Sequence, residues 1–542
     1  QVRGELADIP GWAENRRLSE TMYTYDAMDR RISEDVRFFD TQTQVAIGDG
    51  QSSTHTTYSN NSQVLSVTRD GTGHLTTSSY DTANRLSIVT DARNNAVTYS
   101  YDENSNLIAI VELERSDLAS PEQSFTTAQT YDALDRLSTT TDNGDNAHQY
   151  FYDSRDNRVL DVDARDNESR YSYDGLNRLV QTVRDMNGNG AGGDAPDIVF
   201  TQTWDASSRR TAQSDDNGNA TRYAYDALDR VIVMQMADGT IHEIGTGAVW
   251  PLDSQGPDLG GFVSGYDVHG NRVRTVDANG SRVDSAFDLL NRATTRAVSP
   301  GPDVLGTTLE TYQYDGLSRL VRAQDDDSLV TRGSAVTSGY DSLSNVLRET
   351  QRILPGGPVR SVTAEYDGDR NQTRLIYPGG RVISRVYDTL DRPLLVREGS
   401  AGSMIASYAY IGPLRIEQRD FGNGTRANYE YDGVTGIPNA PGDFGVRRIA
   451  RITHSAISTG VPFDDRTYLW DPVFNRTQFE DLLLPETRTY VYDSANRLIS
   501  SEVLPGGPLV TYALDGVGNR SFISGGTDAG PYTCDAQLPE PA

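Results

Sequence analysis

The heptapeptide Tyr131-Asp132-Ala133-Leu134-Asp135-Arg136-Leu137 decides how this chain is read, because it recurs from end to end. Close copies start at Tyr25, Tyr80, Tyr173, Tyr225, Tyr314, Tyr387 and Tyr492. A second form, counted to its Arg, is one residue longer and runs Tyr152 to Arg158 and Tyr266 to Arg272. Trp470 to Arg476 carries Trp at the aromatic position, and Phe287-Asp288 carries Phe. With looser copies at Tyr101, Trp204, Tyr340, Tyr366 and Tyr431, seventeen aromatic-Asp motifs are present. Fixed-period self-similarity marks a repeat architecture, and it takes precedence over any local reading.

The spacing is regular. Tyr80 to Tyr101, Tyr131 to Tyr152, Tyr152 to Tyr173, Trp204 to Tyr225, Tyr266 to Phe287 and Tyr366 to Tyr387 are each 21 residues, and Trp470 to Tyr492 is 22. Tyr171-Ser172-Tyr173, Tyr223-Ala224-Tyr225 and Tyr490-Val491-Tyr492 alternate with period two, which puts both Tyr on one face of a strand. Turn chemistry lies between motifs, at Asp216-Asn217-Gly218-Asn219, Asp277-Ala278-Asn279-Gly280 and Tyr377-Pro378-Gly379-Gly380. Asn-Gly and Gly-Gly supply the positive φ that tight hairpins need. Two copies of Leu-Pro-Gly-Gly-Pro, at Leu354 and Leu504, read as wider hairpin tips. No stretch shows a helical period with caps.

One unit is therefore strand, turn, strand and an Asp-x-x-x-Arg corner. The motif Asp and Arg become neighbours across that corner, and stacked repeats align them in a ladder of charge-assisted bonds. The expected fold is all-β, with hairpins repeating into one spiralling sheet. Residues 1–21 read as an opening segment, 22–520 as the repeat sheet and 521–542 as a C-terminal linker, with irregular insertions near 185–200 and 231–265. The residues expected to build the ladder are Tyr131, Asp132 and Arg136; Tyr152, Asp153 and Arg158; Tyr173, Asp174 and Arg178; and Tyr225, Asp226 and Arg230.

Composition fits a thin wall better than a thick core. Hydrophobic residues are 36% of the chain, low for 542 residues. Tyr, with 29 copies, is the main aromatic, and it tolerates half burial with its hydroxyl wet. The formal charge of −28 argues against nucleic acid and anionic lipid, which need a basic face. All 49 basic residues are Arg; without Lys, neither a P-loop nor a Schiff-base lysine can form. Cys534 is the only cysteine, so an internal disulfide or zinc–cysteine site is excluded. No apolar run is long enough for a transmembrane helix. The segment Gln1 to Trp12 lacks a signal-peptide pattern, so the expectation is a removed signal or a piece of something longer.

The repeats, at this spacing, resemble the YD repeats of the rearrangement-hotspot (RHS) family, over roughly Met22 to Arg520. The resemblance implies a long β-sheet spiralling into a hollow shell, which in toxin members encloses a cargo polypeptide. Relatives so implied include polymorphic toxins, toxin-complex cocoon subunits, wall-associated proteins and teneurins. The Asp-Pro-x-Gly and Asn-Pro signatures of the toxin-type cleavage region are absent, and Leu538-Pro539-Glu540-Pro541-Ala542 resembles the linker before it. The expected role is a structural module of an extracellular or cell-surface shell or fibre. The alternatives are the encapsulating shell of a toxin and a glycan-binding or adhesion module. Expected partners are further YD-repeat segments or copies of itself, meeting end to end through unpaired strand edges.

Other candidates are weaker. Asp185-Met186-Asn187-Gly188-Asn189-Gly190 matches the start of a calcium loop, with oxygen ligands at Asp185, Asn187 and Asn189, but Pro196 stands where such a loop wants Glu. Calcium is the one cofactor entertained. Gly188 to Gly193 satisfies G-x-G-x-x-G yet opens no helix, so dinucleotide binding is rejected. The six His are scattered, and no Gly-x-Ser-x-Gly elbow or His-Glu-x-x-His occurs. No hydrolase, transferase or redox activity is expected. Trp250 lies outside any motif, either as a contact residue or as a loop residue packing back onto the wall. Circular dichroism should show β-structure almost without helix; substantial helix would contradict the repeat reading.

Overall fold

The structure is a computed structural model, and it describes residues 2–5, 16–69, 73–188, 196–250, 256–326, 333–431, 446–484, 486–527 and 529–531. Among these residues there is no helix, and nearly every strand is joined to its chain neighbour in antiparallel pairing. No helix is long and apolar enough to cross a membrane. The chain divides into two compact units. One comprises Gln1–Asn94 with Tyr223–Tyr408, the other Asn95–Arg222 with Ala409–Ala542.

The strands follow the motifs. In the second unit Gln123–Tyr131, Leu137–Thr141, Ala147–Tyr152, Arg158–Val162, Glu168–Tyr173 and Leu179–Arg184 run in a meander, each pairing with the next. Tyr171 and Tyr173 are half-buried on one face while Ser172 between them is exposed, as period-two alternation requires. Few side chains are fully buried, in keeping with a thin wall. In the first unit Ile232, Val233 and Trp250 form a small core. Trp250 is 5% exposed and packs back onto the wall, with Gln235 Nε2 donating to its carbonyl at 2.9 Å. The stretch 231–265 is thus partly regular: Val231–Gln235 and Ile241–Glu243 pair, and Gly245–Thr246 and Val263–Ser264 make a separate ribbon.

Each unit also contains a seam between segments about 300 residues apart. In the first, Ser342 N donates to Phe39 O at 2.8 Å, Thr41 N to Tyr340 O at 3.1 Å, and Phe39 N to Ser342 Oγ at 3.0 Å. In the second, Asp117 N donates to Tyr410 O at 2.8 Å and Gly412 N to Arg115 O at 2.9 Å. Arg415 closes this seam, donating to Glu114 Oε2 at 2.6 Å and Gln123 Oε1 at 2.7 Å, with Glu114 only 4% exposed. Gly412 is required there: its φ is +66°, and a Cβ would sit 2.0 Å from Glu114 Oε2.

Residues 2–5 of the opening segment form a strand paired with Arg16–Tyr25. Gly530–Pro531, within the expected linker, pairs with Arg520–Ser524. Trp250→Ala should destabilise the first unit by about 3–5 kcal/mol, as removal of a buried Trp typically does, measured by denaturant unfolding.

Candidate functional site: the turn ladder

The repeated residues meet at the turns. Asp132 N donates to Arg136 O at 2.8 Å, and Asp135 N donates to Asp132 O at 3.0 Å. Asp135 has φ +58°, so the loop is a type I turn closed by a left-handed residue. The carboxylate of Asp132 holds it shut. Oδ1 accepts from Leu134 N at 2.9 Å and Arg136 N at 3.0 Å, and Oδ2 accepts from Arg136 Nε at 2.8 Å. A short side chain two atoms from its backbone can reach its own turn amides in this way. Asp174 with Arg178 and Asp226 with Arg230 repeat the arrangement, with Arg Nε to Asp Oδ2 at 2.7 and 2.8 Å.

The second motif form needs correcting. In Tyr152 to Arg158 the residue that closes the turn is Asn157, the fourth after Asp153, and not Arg158. Asn157 N donates to Asp153 Oδ1 at 3.0 Å and Asn157 Nδ2 to Asp153 Oδ2 at 2.9 Å. Arg158 lies one residue beyond, in the strand, where Nε pairs with Asp161 at 2.9 Å. The turn is therefore the same length in both forms; only the donor changes from guanidinium to amide.

The closing residue also reaches the next repeat. Arg136 Nη1 donates to Asp153 O at 3.0 Å and to Asp156 Oδ1 at 2.7 Å, and its guanidinium lies 4.7 Å over the Tyr152 ring. Arg178 Nη1 donates to Asp205 O at 2.7 Å, and Asn157 Nδ2 to Asn177 Oδ1 at 3.1 Å. In the first unit Arg292 donates to Asp315 O at 3.0 Å and Arg319 to Asp341 O at 2.7 Å. The expected ladder exists, and its rungs run from each turn to the following one.

The aromatic has its own task. The strand register shifts between Thr130 and Tyr131, where Tyr131 faces Leu137, and the Leu137 carbonyl looks out of the ladder. Tyr152 of the next repeat donates its hydroxyl to that carbonyl at 2.9 Å. Tyr173 does the same to Arg158 O at 3.0 Å, and Tyr266 to Val231 O at 3.0 Å. Trp204 and Trp470 substitute their indole N–H, to Leu179 O at 2.8 Å and Ile449 O at 2.9 Å. This explains why Tyr and Trp dominate the position: both carry an aromatic body and a donor.

Sequence reasoning missed two sets of turns. Tyr58-Ser59 is a further motif with Ser for Asp and Gln63 for Arg; Ser59 N donates to Gln63 O at 2.8 Å and Arg30 Nη1 to Ser59 O at 2.6 Å. The opposite strand ends use the same five-residue turn without the aromatic. Asn146 donates to both oxygens of Asp142 at 3.0 Å, and Asn167 does so at Asp163. The stretches containing Gly218 and Gly280 are likewise five-residue turns, not two-residue hairpins. Their glycines, at φ +80° and +82°, occupy the left-handed position. The signal was Asp-x-x-x-Asn or Asp-x-x-x-Ser spacing alone.

Electrostatics follow the geometry. The Arg136 side-chain bond, with the Arg136 and Leu134 amides, holds the Asp132 carboxyl below its ordinary 3.8. Asp153 is lowered in the same way by Asn157, and Asp174 by Arg178. At Asp388 burial pushes upward, yet Arg392 and its amide outweigh it and the group stays low. Asp341, fully buried at the seam, goes the other way because desolvation dominates. Around the calcium candidate, Asp185 is buried and its Oδ1 accepts from Asn187 N at 3.1 Å and Gly188 N at 2.6 Å. Asp197 Oδ1 accepts from Met186 N at 2.8 Å, and Asn189 lies outside the described residues.

Comparison with known proteins matches one segment of the chain to a family model. The RHS Repeat family model matches residues 204–241, which contain the Trp204 and Tyr225 motifs. This chain carries an RHS repeat over that segment. Among solved structures, the Photorhabdus luminescens Tc holotoxin pore superposes with a TM-score of 0.61 at 13% identity, over 98% of this chain and 26% of that one. The TcdB2–TccC3 crystal structure gives 0.53 at 13% identity, over 98% of this chain and 37% of that one. TcdB2–TccC3 without its hypervariable C-terminal region gives 0.53 at 12% identity, over 97% and 40%. The RHS-repeat sheet thus has the fold of these toxin-complex proteins while spanning well under half their length. No curated protein matches the chain.

Two outcomes follow from the RHS turn. Tyr152→Phe, which removes only the hydroxyl, should cost about 1 kcal/mol and leave the fold intact, by denaturant unfolding. The lowered turn carboxylates contribute stability that is fully present above their unfolded pKa of 3.8 and is lost as pH falls through their lower folded values. Unfolding midpoints should therefore hold steady above about pH 5 and drop below pH 4, with the opposing contributions of Asp341 and Asp369, both raised by burial, too few to reverse it.

Proposed function

We propose that this chain is a structural RHS-repeat module, a wall segment of a larger extracellular or cell-surface assembly, and that it is not an enzyme. The carrying observation is the contrast between covered and uncovered motif turns. Where the seam covers a turn in the first unit, Asp341 is 0% and Leu343 7% exposed. The equivalent residue, second after the motif Asp, is 68% exposed at Leu134, 65% at Leu176, 72% at Leu228 and 65% at Leu290. These open turns present apolar tips in the register that the covered turn buries. A further run of the same turns, from another RHS-repeat segment or a second copy, fits them. The partial coverage of the toxin-complex chains supports a setting in which more repeats are present.

That likeness also supports a second reading, the encapsulating shell of a toxin. A glycan-binding role has separate support from a cavity of about 680 Å³ in the first unit, lined by Tyr312, Tyr314, Tyr340, Gln42 and Arg348 among others. Several aromatic rings beside planar polar groups suit a sugar, and glycan-array binding that is lost on Tyr312→Ala supports that arm. For the structural reading, sedimentation and negative-stain microscopy should show association through the turn rims that grows with concentration. The triple variant Leu134→Asp, Leu176→Asp, Leu228→Asp should return the chain to monomer with an unchanged circular dichroism spectrum. A wild-type monomer at every concentration, with its motif-turn amides protected from exchange, would contradict it.

A further inference from the structure

One group of side chains belongs to neither the ladder nor the wall. Arg69 ends the strand Val64–Arg69 and His74 opens the strand His74–Tyr80, and the two face each other across the pair. They meet Asp369 and Asp391, each from a motif turn roughly 300 residues further on within the same unit. His74 is 8% exposed and the Asp369 side chain 6%. His74 Nε2 lies 3.5 Å from Asp369 Oδ2, and Nδ1 lies 3.4 Å from Asp391 Oδ1. One ligand atom from each of the three residues falls within 4.8 Å of the others, the only such group among the described residues.

These separations are longer than hydrogen bonds, whose usual range ends near ~3.2 Å. One imidazole nitrogen binds one ion, so the ion sits either at Nε2 beside Asp369 or at Nδ1 beside Asp391. The separation there is close to the roughly 3.3 Å between two ligands of a tetrahedral ion with bonds of about 2.0–2.1 Å, and the third ligand atom lies within 4.8 Å of both. The charge balance points the same way. Asp367, Asp369 and Asp391 bring three carboxylates together, and the groups facing them are the His74 ring and Arg69. Asp367 is already committed to its own turn, accepting from Asn371 N at 2.8 Å and Asn371 Nδ2 at 3.2 Å. Asn371 Nδ2 also donates to Asp391 Oδ1 at 2.8 Å, which orients that carboxylate as an outer-shell partner would. Arg69 Nη2 donates to Asp391 Oδ2 at 2.7 Å and sits 3.4 Å from His74 Nδ1. With its side chain 46% exposed, Arg69 can leave for water at little loss, because exposed ion pairs contribute little.

We infer that His74, Asp369 and Asp391 form a site for a transition-metal dication of the zinc class, in which Arg69 is the resident counter-ion that the metal displaces. One imidazole nitrogen with carboxylate oxygens suits zinc better than calcium or magnesium, which take oxygen alone. The three ligands leave a coordination position for water. The ion would tie the hairpin end at Arg69 and His74 to two turns of the ladder.

The test is calorimetric titration of the whole, chelator-treated chain with Zn²⁺, with Ca²⁺ as the comparison. We expect one saturable Zn²⁺ site and no Ca²⁺ binding at it. His74→Gln and Asp391→Asn should each weaken it at least tenfold, Arg69→Gln should tighten it severalfold, and His454→Gln should leave it unchanged. A readout independent of variant folding is the absorption of Co²⁺ bound to the wild-type chain, whose intense visible bands report four-coordinate geometry. Absence of saturable Zn²⁺ binding, or Zn²⁺ binding that His74→Gln and Asp391→Asn leave intact, would show an ion-pair cluster only and overturn the proposal.

Discussion

Everything in this protein hangs on one carboxylate accepting the amides of its own turn. An antiparallel meander needs a reversal every half-repeat, and each reversal leaves amides that must find acceptors. An Asp placed first in a five-residue turn meets that need from within, so each hairpin closes without help from a thick core. The fifth residue then decides what the turn does beyond itself. As Arg it adds a charge-assisted bond, stacks on the next aromatic and donates to the next turn's carbonyl; as Asn it keeps the internal bond and reaches its neighbour's side chain.

The aromatic before the Asp answers the second problem that the turn creates. At the motif turns the strand register shifts by one just before the aromatic, and a carbonyl is left facing out of the strand pair. A Tyr hydroxyl or Trp indole from the following repeat supplies the donor, and its ring covers the thin wall. Two apparently separate features of the motif, aromatic and acid, are thus one device read at successive repeats. Stability in such an array is close to a sum of units and nearest-neighbour rungs, which is how a sheet this large stands with so few fully buried side chains.

The local half of this was legible from residues alone. Alternation around Tyr171 and Tyr173, the 21-residue period and the Asp–Arg corner all encode short-range geometry, and a sequence displays short-range geometry directly. Counting the second form to its Arg misplaced the closing residue by one, because Arg158 is the more conspicuous side chain although Asn157 sits at the position that matters. The turns at Asp142 and Asp163 lack the aromatic flag, so the aromatic-Asp repeat does not single them out. The seams were not legible at all. Ser342 against Phe39, Gly412 against Glu114 and His74 between Asp369 and Asp391 join residues about 300 apart, and nothing in either local segment announces its partner.

The central claim is that each Asp-headed motif turn is closed by its own carboxylate and coupled to the turn that follows. Amide hydrogen exchange across the whole chain, compared between wild type and Asp132→Ala, tests this most directly. Faster exchange is predicted at Leu134 and Arg136, whose amides lose their acceptor, and at the following turn around Asp153 and Asp156, which loses its orienting Arg136. The turn at Asp315 to Arg319, in the other unit, should be unchanged. Exchange that rises uniformly along the chain, or that rises nowhere outside the mutated residue, would contradict the account.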